Sequence, residues 1–471
     1  MVIDRHGALC FNSGCMTVEL RKNYPETKVM SGFMELLPEE QIEFDKIKAT
    51  ILETYESFGY TALDTPAMER LEVLRAKDVG ETAAQIYEIE PRGEQVESKS
   101  GLRFDLTVPL ARYVADHFDA LSFPFRRCHI AKVYRGERAQ KGRFREFYQC
   151  DVDVIGHNTL SIRYDAEIPS IIYQLFKKLD FGRFTIRINN RKLLNGLVDS
   201  LGSSVSAEKV LAVIDRIEKI SPDKFAGQLK ELGLTEAMIG VLVRFFDIKG
   251  SNAEILQGLK DFGVDNEDYV SGLTELSTAV EFMIALGVDD AYYKIDPVIV
   301  RGLSYYTGTV YETVLDDYPE IGSVCSGGRY DNLAEHYTKE KLPGVGISIG
   351  LTRLFYQLRE IGVIDCAKKT AANVIVVPKD DSNIPYALSV SQLLRSGGFK
   401  VDVLLEELNM KKKFAYVSRK DTQFTVVVGE EEEKTGSVTL QHKAADGTIV
   451  KQVAAQTELL KLCRNVCQGN S

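Results

Sequence analysis

Several features that would point to other classes of protein are missing from this 471-residue sequence. No stretch approaches the run of about 18 uncharged apolar residues that a membrane helix needs, so no membrane partner is expected. The eight cysteines include no CxxC pair and the six histidines are scattered, which argues against a disulfide framework and a metal site built from side chains. Reduced thiols and a cytoplasmic location are therefore expected.

The N-terminal segment also lacks a secretory signal. Acidic residues stand among the basic ones, at Asp4 and Glu19, and there is no apolar run of secretory length. We interpret residues 1–30 as an N-terminal extension. An organellar presequence, which would give an additional organellar pool, stays open as an alternative.

What is present describes a large globular protein with an uneven charge distribution. Hydrophobic residues make up 44% and charged residues 27%, and the length predicts two to four domains. The net charge of -10 argues against a nucleic-acid partner, but residues 101–150 hold ten Lys/Arg against five Asp/Glu. A polyanion is therefore expected to bind there, with a solvated basic face as the alternative.

Hydrophobic periodicity predicts an amphipathic helix over residues 39–58, followed by a strand. The apolar positions of the helix recur at steps of three and four, at Phe44, Ile47, Ile51, Tyr55 and Phe58. Gly59 ends the helix. The next segment, 60–66, has the composition of a strand, which Pro66 confines to a sheet edge or terminates.

The rest of the chain divides by composition. Residues 195–294 have the composition of helices with few β-branched clusters, which predicts a helical insertion domain. Residues 31–194 and 295–365 are then the two parts of one interrupted domain. After residue 371, predicted strands at 373–377, 400–405 and 424–428 alternate with a helix at 386–394. This alternation predicts a small, mainly parallel α/β domain over 371–471.

The most informative stretch, residues 133–155, is predicted to form a strand, a basic loop and a second strand. In the second strand a period of two puts Phe147, Gln149, Asp151 and Asp153 on one face, and apolar side chains on the other. The loop crowds several cations together, a costly arrangement unless phosphates neutralise it: Arg135, Arg138, Lys141, Arg143 and Arg145. One strand face is thus suited to a core and the other to a ligand.

The chain resembles the class II aminoacyl-tRNA synthetases in three motifs that stand in the right order. Residues 39–58 with Pro66 are similar to motif 1, segments 135–137 and 143–147 to motif 2, and 344–353 to motif 3. Two further segments, 301–308 and 326–331, resemble signatures of the histidine-specific branch, and 102–109 resembles its amino-group segment. Ser304 departs from the aspartate usual in that branch, which leaves that residue's orienting role in doubt.

The resemblance implies an α/β architecture with an α+β catalytic core. Its parts are an antiparallel class II sheet flanked by helices, a helical insertion domain and a C-terminal α/β anticodon-binding domain. It implies an ATP-dependent ligase that activates L-histidine as an adenylate, releases pyrophosphate and loads tRNA(His), acting as a homodimer through motif 1. The alternatives are a catalytically silent regulatory paralogue, an uncharged-tRNA sensor, or a class II ligase for glycine, proline or threonine.

Residue roles follow from the same resemblance. The catalytic contacts with the α-phosphate are implied for Arg135 and Arg301, and further ATP contacts for Glu137, Phe147 and Arg353, with Mg²⁺ bridging the β- and γ-phosphates. The α-ammonium group of histidine is implied to bind Asp105, Thr107 and Gln149. Its imidazole is implied to contact Asp153 and Tyr306, with Tyr305 and Tyr330 in the pocket wall.

Two basic segments are implied to contact tRNA. The motif 2 loop offers Arg138, Gln140 and Arg143 to the acceptor end. The C-terminal domain offers charge and an aromatic ring to the anticodon loop, through Lys411, Lys412, Lys413, Tyr416 and Arg419. An ordinary solvated helix is an equal alternative for the second segment.

Overall fold

A computed structural model describes most of the chain. The described residues are 2–3, 9–10, 27–76, 83–90, 99–138, 142–202, 205–300, 306–331, 334–444 and 447–469. Arg301, Tyr305, Ser304 and Gln140 lie outside them.

The β-strands, in chain order, are β1 (Val2–Ile3), β2 (Leu9–Cys10), β3 (Thr61–Ala62), β4 (Met68–Arg70), β5 (Glu88–Ile89), β6 (Ser100–Leu102), β7 (Phe125–Tyr134), β8 (Glu146–Ile155), β9 (Phe184–Asn190), β10 (Tyr293–Ile295), β11 (Thr309–Leu315), β12 (Ser323–Tyr330), β13 (Gly344–Gly350), β14 (Val374–Pro378), β15 (Val401–Val403), β16 (Phe424–Val428), β17 (Ser437–Lys443) and β18 (Ile449–Ala455).

The α-helices are α1 (Pro38–Ser57), α2 (Leu71–Leu74), α3 (Thr107–Asp116), α4 (Tyr164–Leu179), α5 (Arg191–Ser200), α6 (Ala207–Ile214), α7 (Pro222–Glu231), α8 (Glu236–Phe246), α9 (Asn252–Asp261), α10 (Glu267–Ala285), α11 (Leu351–Glu360), α12 (Ile384–Ser396), α13 (Met410–Lys420), α14 (Glu430–Thr435) and α15 (Leu459–Gly469).

A large antiparallel sheet organises the first three quarters of the chain. Its strands lie in the order β10, β9, β11, β12, β13, β8, β7 and β3. The β10–β9 and β7–β3 pairs at the two edges are parallel, and the pairs between them are antiparallel. The expected antiparallel class II sheet is therefore confirmed, and β3 occupies the edge position that Pro66 predicted.

Helix α1 forms as its periodicity predicts. Pro38 occupies the first turn, where its missing N–H costs nothing, and Glu40 accepts a 2.8 Å hydrogen bond from the Leu37 amide. Gly59, at φ +79°, follows the helix end. The buried stripe packs on the main sheet, where the Tyr55 hydroxyl donates a 3.1 Å hydrogen bond to the Cys150 carbonyl. One face of the sheet is thereby closed, so ligands must approach from the other.

Helices α5 to α10 fill the interval between β9 and β10, as expected for residues 195–294. Each buries an apolar stripe in a core that is continuous with the core of the main sheet. Side-chain caps fix several of the helix starts. The Ser251 hydroxyl, for example, accepts from the Glu254 amide while the Glu254 carboxylate accepts from the Ser251 amide.

The C-terminal sheet has its own core and corrects one expectation. Its order is β15, β14, β16, β17, β18. The β14–β15 and β14–β16 pairs are parallel, but β16–β17 and β17–β18 are antiparallel. The prediction of a mainly parallel domain was wrong for the second half of this sheet. There β17 returns antiparallel to β16 after the short helix α14, and β17 and β18 form a terminal hairpin, which needs no crossover helix.

None of the described helices is long and apolar enough to cross a membrane.

Candidate active site

The open face of the main sheet carries a cavity of about 780 Å³. Its floor is built from β8, β12 and β13, and its walls from the motif 2 loop, the start of α11 and the insertion helix α6. The predicted site residues that line it are Asp105, Thr107, Arg135, Glu137, Arg143, Phe147, Gln149, Asp153, Tyr306, Tyr330 and Arg353. Residues from five separate sequence segments therefore meet in one place.

Strand β8 provides the floor through the predicted alternation. Phe147, Gln149, Asp151 and Asp153 line the cavity, whereas Cys150, Val152 and Val154 are fully buried in the core on the other face. The alternation holds because β8 is paired on both sides, with β7 and with β13, so its side chains have two defined faces. The predicted division of the strand into a core face and a second face is confirmed, and the second face lines a cavity; that it binds a ligand stays a prediction.

The floor is anchored by a buried arginine that the sequence interpretation missed. Arg127, on β7, lies opposite Asp153 in the β7–β8 register, and its Nη2 is 3.0 Å from Asp153 Oδ2. The two groups form an ion pair without hydrogen-bond alignment. Asp153 Oδ2 and Arg127 Nε and Nη1 have no hydrogen-bond partner among the described residues. The sequence interpretation missed Arg127 because its role depends on the register of the two strands, which places position 127 opposite position 153.

Asp153 is also held from β12 and β13. The Tyr330 hydroxyl donates to Asp153 Oδ1 at 2.9 Å. A Cβ on Gly346 would lie 2.1 Å from the same oxygen, and one on Gly344 would lie 2.3 Å from the Tyr330 ring. Glycines are therefore required at these two positions of motif 3, because the strand passes too close to the pair to carry side chains.

The residues expected at the amino group of the substrate lie beside this pair. Asp105 is buried, and its Oδ1 accepts from the backbone amides of Thr107 at 3.1 Å and Val108 at 2.9 Å, at the start of α3. The Gln149 Nε2 donates to the Ser348 hydroxyl at 3.0 Å. Both side chains are thereby oriented before any ligand binds.

Burial dominates the electrostatics of the floor. Burial raises the pKa of Asp105. The hydrogen bonds from the Val108 and Thr107 amides and the charge of Arg135 oppose this rise. Burial raises the pKa of Asp151 to about 7 and also raises that of Asp153, and in both cases Arg127 opposes the shift. Burial makes the ionised form of these carboxylates unfavourable, and a cationic ligand would stabilise that form. The floor is therefore suited to bind a cation.

The other end of the cavity is more open. The Arg135 guanidinium lies 4.3 Å from the centre of the Phe104 ring and 5.1 Å from that of Phe147, and its Nε donates to the Phe104 carbonyl at 3.3 Å. In the same loop Arg143 lies 3.7 Å from Glu137. These groups present two cations and an acceptor beside an aromatic ring.

Arg353 lies in the first turn of α11, as expected from the sequence. Its Nη2 donates to the Ile321 carbonyl at 2.8 Å, and its Nε to Gln357 Oε1 at 3.2 Å. These contacts hold the guanidinium at the cavity wall.

The remaining predicted site residues belong to the motif 2 loop, the 301–308 segment and the C-terminal domain. Arg138 is exposed on the motif 2 loop and does not line it, while Arg301, Tyr305 and Gln140 lie outside the described residues. The C-terminal group lies on α13, where Lys411, Lys412 and Arg419 are exposed.

Two members of that C-terminal group are engaged within the protein. Lys413 is buried and its Nζ donates to the Pro378 carbonyl at 2.8 Å, and the Tyr416 hydroxyl donates to Asp402 at 2.7 Å. The charge of Lys413 therefore does not face solvent.

The insertion helices also contribute lining residues that sequence reasoning did not identify. They are Arg191, Glu208, Leu211, Ala212, Asp215, Arg216 and Lys219. Their position depends on how the insertion packs on the sheet, and local sequence carries no signal for that packing.

Comparison with known proteins gives a consistent result over almost the whole chain. Residues 32–354 match the family model described as histidyl-tRNA synthetase, and residues 373–463 match the anticodon binding domain. A histidine–tRNA ligase of Clostridium tetani is 50% identical over 448 residues, covering 95% of this chain and 100% of that protein. One from Finegoldia magna is 44% identical over 417 residues, covering 88% and 95%. The crystal structure of histidyl-tRNA synthetase from Nostoc sp. PCC 7120 superposes with a TM-score of 0.85 at 39% identity, covering 93% and 99%.

Proposed function

The chain belongs to the histidyl-tRNA synthetase family and is an aminoacyl-tRNA ligase for histidine, and on that premise we propose how its side chains divide the work. The family uses histidine, ATP and tRNA as substrates. The observation that carries the proposal is the convergence of the motif 2, motif 3 and histidine-signature residues on one cavity. A catalytically silent regulatory paralogue and an uncharged-tRNA sensor are disfavoured, because relatives that match most of the chain are named histidine–tRNA ligases.

In the first step a carboxylate oxygen of histidine attacks the α-phosphorus of ATP, the bond to the bridging oxygen breaks, and pyrophosphate leaves. Arg135, beside Phe147 at the open end, stabilises the charge that develops on the α-phosphate, and Arg301 acts with it. Phe147 and Arg353 hold the adenine ring between them, and Glu137 accepts a hydrogen bond from the adenine amino group. No protein nucleophile is needed, because positioning and charge neutralisation supply the catalysis.

The buried end selects histidine. Asp153 accepts an imidazole N–H, supported by Tyr330, whose hydroxyl is 2.9 Å away, with Tyr306 and Tyr305 completing the wall. Asp105, Thr107 and Gln149 bind the α-ammonium group. A site whose buried polar groups need partners rejects amino acids that leave them unpaired, so no editing step is required.

Mg²⁺ is compatible with the carboxylates of the cavity. Among the described residues no group of three side chains could hold a metal ion by itself, which fits an ion bound mainly by phosphates. Glu312, on β11, is a buried carboxylate that lines the cavity and accepts a hydrogen bond from Arg187 Nη1 at 3.2 Å, and it would add a protein ligand. The ion would neutralise charge on the β- and γ-phosphates.

In the second step the terminal ribose hydroxyl of the tRNA attacks the carbonyl carbon of the adenylate, and AMP leaves. Arg138, Gln140 and Arg143 contact the acceptor end from the motif 2 loop. Lys411, Lys412 and Arg419, which are exposed on α13, contact the anticodon loop. Because Lys413 is buried against a carbonyl, it acts in the fold of this domain and not in the contact surface.

A homodimer through motif 1 and a cytoplasmic location complete the proposal. The two-residue strand β3, which follows α1, leaves a sheet edge beside that helix, and this supports pairing with a second copy. Sedimentation analysis tests the dimer, and a monomer at micromolar concentration would contradict it.

The function is tested by pyrophosphate exchange with each of the twenty amino acids. Exchange should depend on histidine and ATP, and removal of Mg²⁺ should abolish it. The same protein should then charge a tRNA(His) transcript. Exchange with another amino acid, or none with histidine, would overturn the proposed function.

A further inference from the structure

Asp151 has no part in the scheme above, although it occupies the centre of the cavity floor. It lies on β8 between Gln149 and Asp153, on the same face, and lines the same cavity. Its side chain is 2% exposed, yet its Oδ1 has no hydrogen-bond partner among the described residues. A buried carboxylate oxygen left without a partner is costly, so a ligand group is expected to supply one.

The contacts of Asp151 associate it with Gln149. Ser348, opposite Asp151 in the β8–β13 register, accepts from the Gln149 Nε2 at 3.0 Å and hydrogen-bonds the Asp151 carboxylate. Asp153 belongs to a second group, formed with Tyr330 and Arg127. The strand thus carries two sets of polar side chains, and Asp151 belongs to the set that faces the substrate amino group.

The free acceptors indicate the chemistry of the missing partner. Besides Asp151 Oδ1, the Gln149 Oε1 also has no hydrogen-bond partner within the described residues. These side chains are two positions apart on one strand, about 7 Å between Cα atoms, so one small donor can reach both. An ammonium group has three N–H donors, whereas a neutral imidazole has a single N–H.

The charge balance points the same way. Asp105 raises the pKa of both Asp151 and Asp153, Asp153 raises that of Asp151, and Arg127 is the buried cation that opposes these shifts. His129, next to Asp151 on β7, is also buried, and burial lowers its pKa to about 4, so it adds no positive charge near neutral pH. The floor therefore has surplus negative charge that a cationic ligand would neutralise.

We propose that Asp151 is a further specificity-determining residue, whose carboxylate binds the α-ammonium group of the substrate amino acid together with Gln149. This inference rests on the proposed function and deepens it. The substrate amino group then faces two carboxylates, Asp105 and Asp151, and the imidazole faces the carboxylate of Asp153. An amino acid is thereby distinguished from a carboxylic acid that has the same ring but no amino group.

The test compares Asp151→Asn with Asp153→Asn as its matched control, because the two carboxylates share a strand face and differ in partners. Dissociation constants are measured by calorimetry for histidine, for 3-(imidazol-4-yl)propionate, which lacks the amino group, and for ATP. Asp151→Asn should weaken histidine binding about tenfold or more, the loss typical of a charge-assisted hydrogen bond, and leave the other two ligands unchanged. Asp153→Asn should weaken both imidazole ligands.

Thermal unfolding of the free protein gives an independent readout. Because the Asp151 carboxylate is buried without a full set of partners, Asp151→Asn should leave the melting temperature unchanged or raise it. A lowered melting temperature with equal losses for histidine and ATP would mean a structural role and overturn the inference. Unchanged histidine affinity, or an equal loss for the amino-less acid, would overturn it as well. Failure of the proposed function itself is recognised separately, as absence of histidine-dependent exchange by the wild-type protein.

Discussion

The two ends of the cavity are built on different principles. At the buried end the central pair is enclosed, with the Arg127 side chain 0% and the Asp153 side chain 5% exposed. At the open end the Arg143 side chain is 55% exposed and its partner Glu137 23%. The buried end is fixed by strand pairing before a substrate arrives, whereas the open end consists of long side chains on a loop. In the proposed scheme, selection of the amino acid therefore depends on preorganised buried groups, whereas binding of the flexible triphosphate depends on mobile charged side chains.

The largest effect is expected from removing the cation of the buried end. Arg127→Met should lower the free energy of unfolding by about 3 to 5 kcal/mol, because it leaves Asp153 and its neighbours buried without their counter-charge. Urea denaturation measures the change. The matched control is Arg143→Met at the open end, whose 3.7 Å pair with Glu137 is solvated and should contribute less than about 1 kcal/mol. Equal losses would remove the distinction between the two ends.

At the open end the expected effect is on rate and not on stability. Arg135→Ala, and likewise Arg301→Ala, should slow adenylate formation by about 10²- to 10³-fold, the usual cost of one donor to a developing oxyanion. Histidine affinity should stay near the wild-type value. Single-turnover measurement of adenylate separates the chemical step from binding. An unchanged burst would exclude either arginine from the catalytic contacts.

A smaller effect, confined to one substrate, is expected at Asp153. Asp153→Asn should weaken histidine binding by about 1.5 to 3 kcal/mol, because an amide oxygen accepts the imidazole N–H less well than a carboxylate. ATP affinity should hardly change. The opposite outcome, a lower melting temperature with weaker binding of both substrates, would mean that Asp153 serves the Arg127 pair and not the ligand.

The smallest expected effect is a pH dependence in which two buried groups oppose one another. Burial lowers the pKa of His129 to about 4, so its contribution to stability is lost as the pH falls from about 6.5 to about 4. Burial raises the pKa of Asp151 to about 7, so its contribution is lost as the pH rises from about 4 to about 7. Between about pH 4 and 6.5 the slopes oppose and partly cancel.

Single variants separate the two contributions. Asp151→Asn should make the free energy of unfolding rise more steeply with pH in that window, and His129→Gln should make it fall. Urea denaturation at several pH values measures both slopes. Parallel slopes for the wild type and both variants would contradict the assignment.

The local sequence pattern was sufficient to predict some elements of the fold and the site, but not others. The faces of β8 could be predicted, because side-chain alternation within a paired strand is a local property. Helix α1 could be predicted for the same reason, since its apolar spacing and Pro38 are local signals. Arg127 could not be placed, because its role depends on the register between β7 and β8. The contribution of α6 to the cavity depends on packing between segments far apart in sequence.

The C-terminal error has a different cause. In the sequence, Asp446-Gly447 is a hairpin signal between two stretches of strand composition, and β17 and β18 on either side of it pair antiparallel. Helices separate the strands as far as β17, because α14 lies between β16 and β17, but parallel pairing ends at β16. The signal was present in the sequence and was outweighed by the pattern before it.

The parallel pairing of β9 with β10 has a consequence for the order of folding. Ile295 pairs with Ile188 about a hundred residues earlier in the chain, and helices α5 to α10 lie between them. Closing an unstructured loop of that length for a three-residue strand would lose more chain entropy than so few ladder bonds return. We therefore expect the helical segment to become compact first, because this brings β10 close to β9 before the two strands pair. On a ribosome, four of the eight strands of the sheet, β10 to β13, could join it only after that segment had emerged.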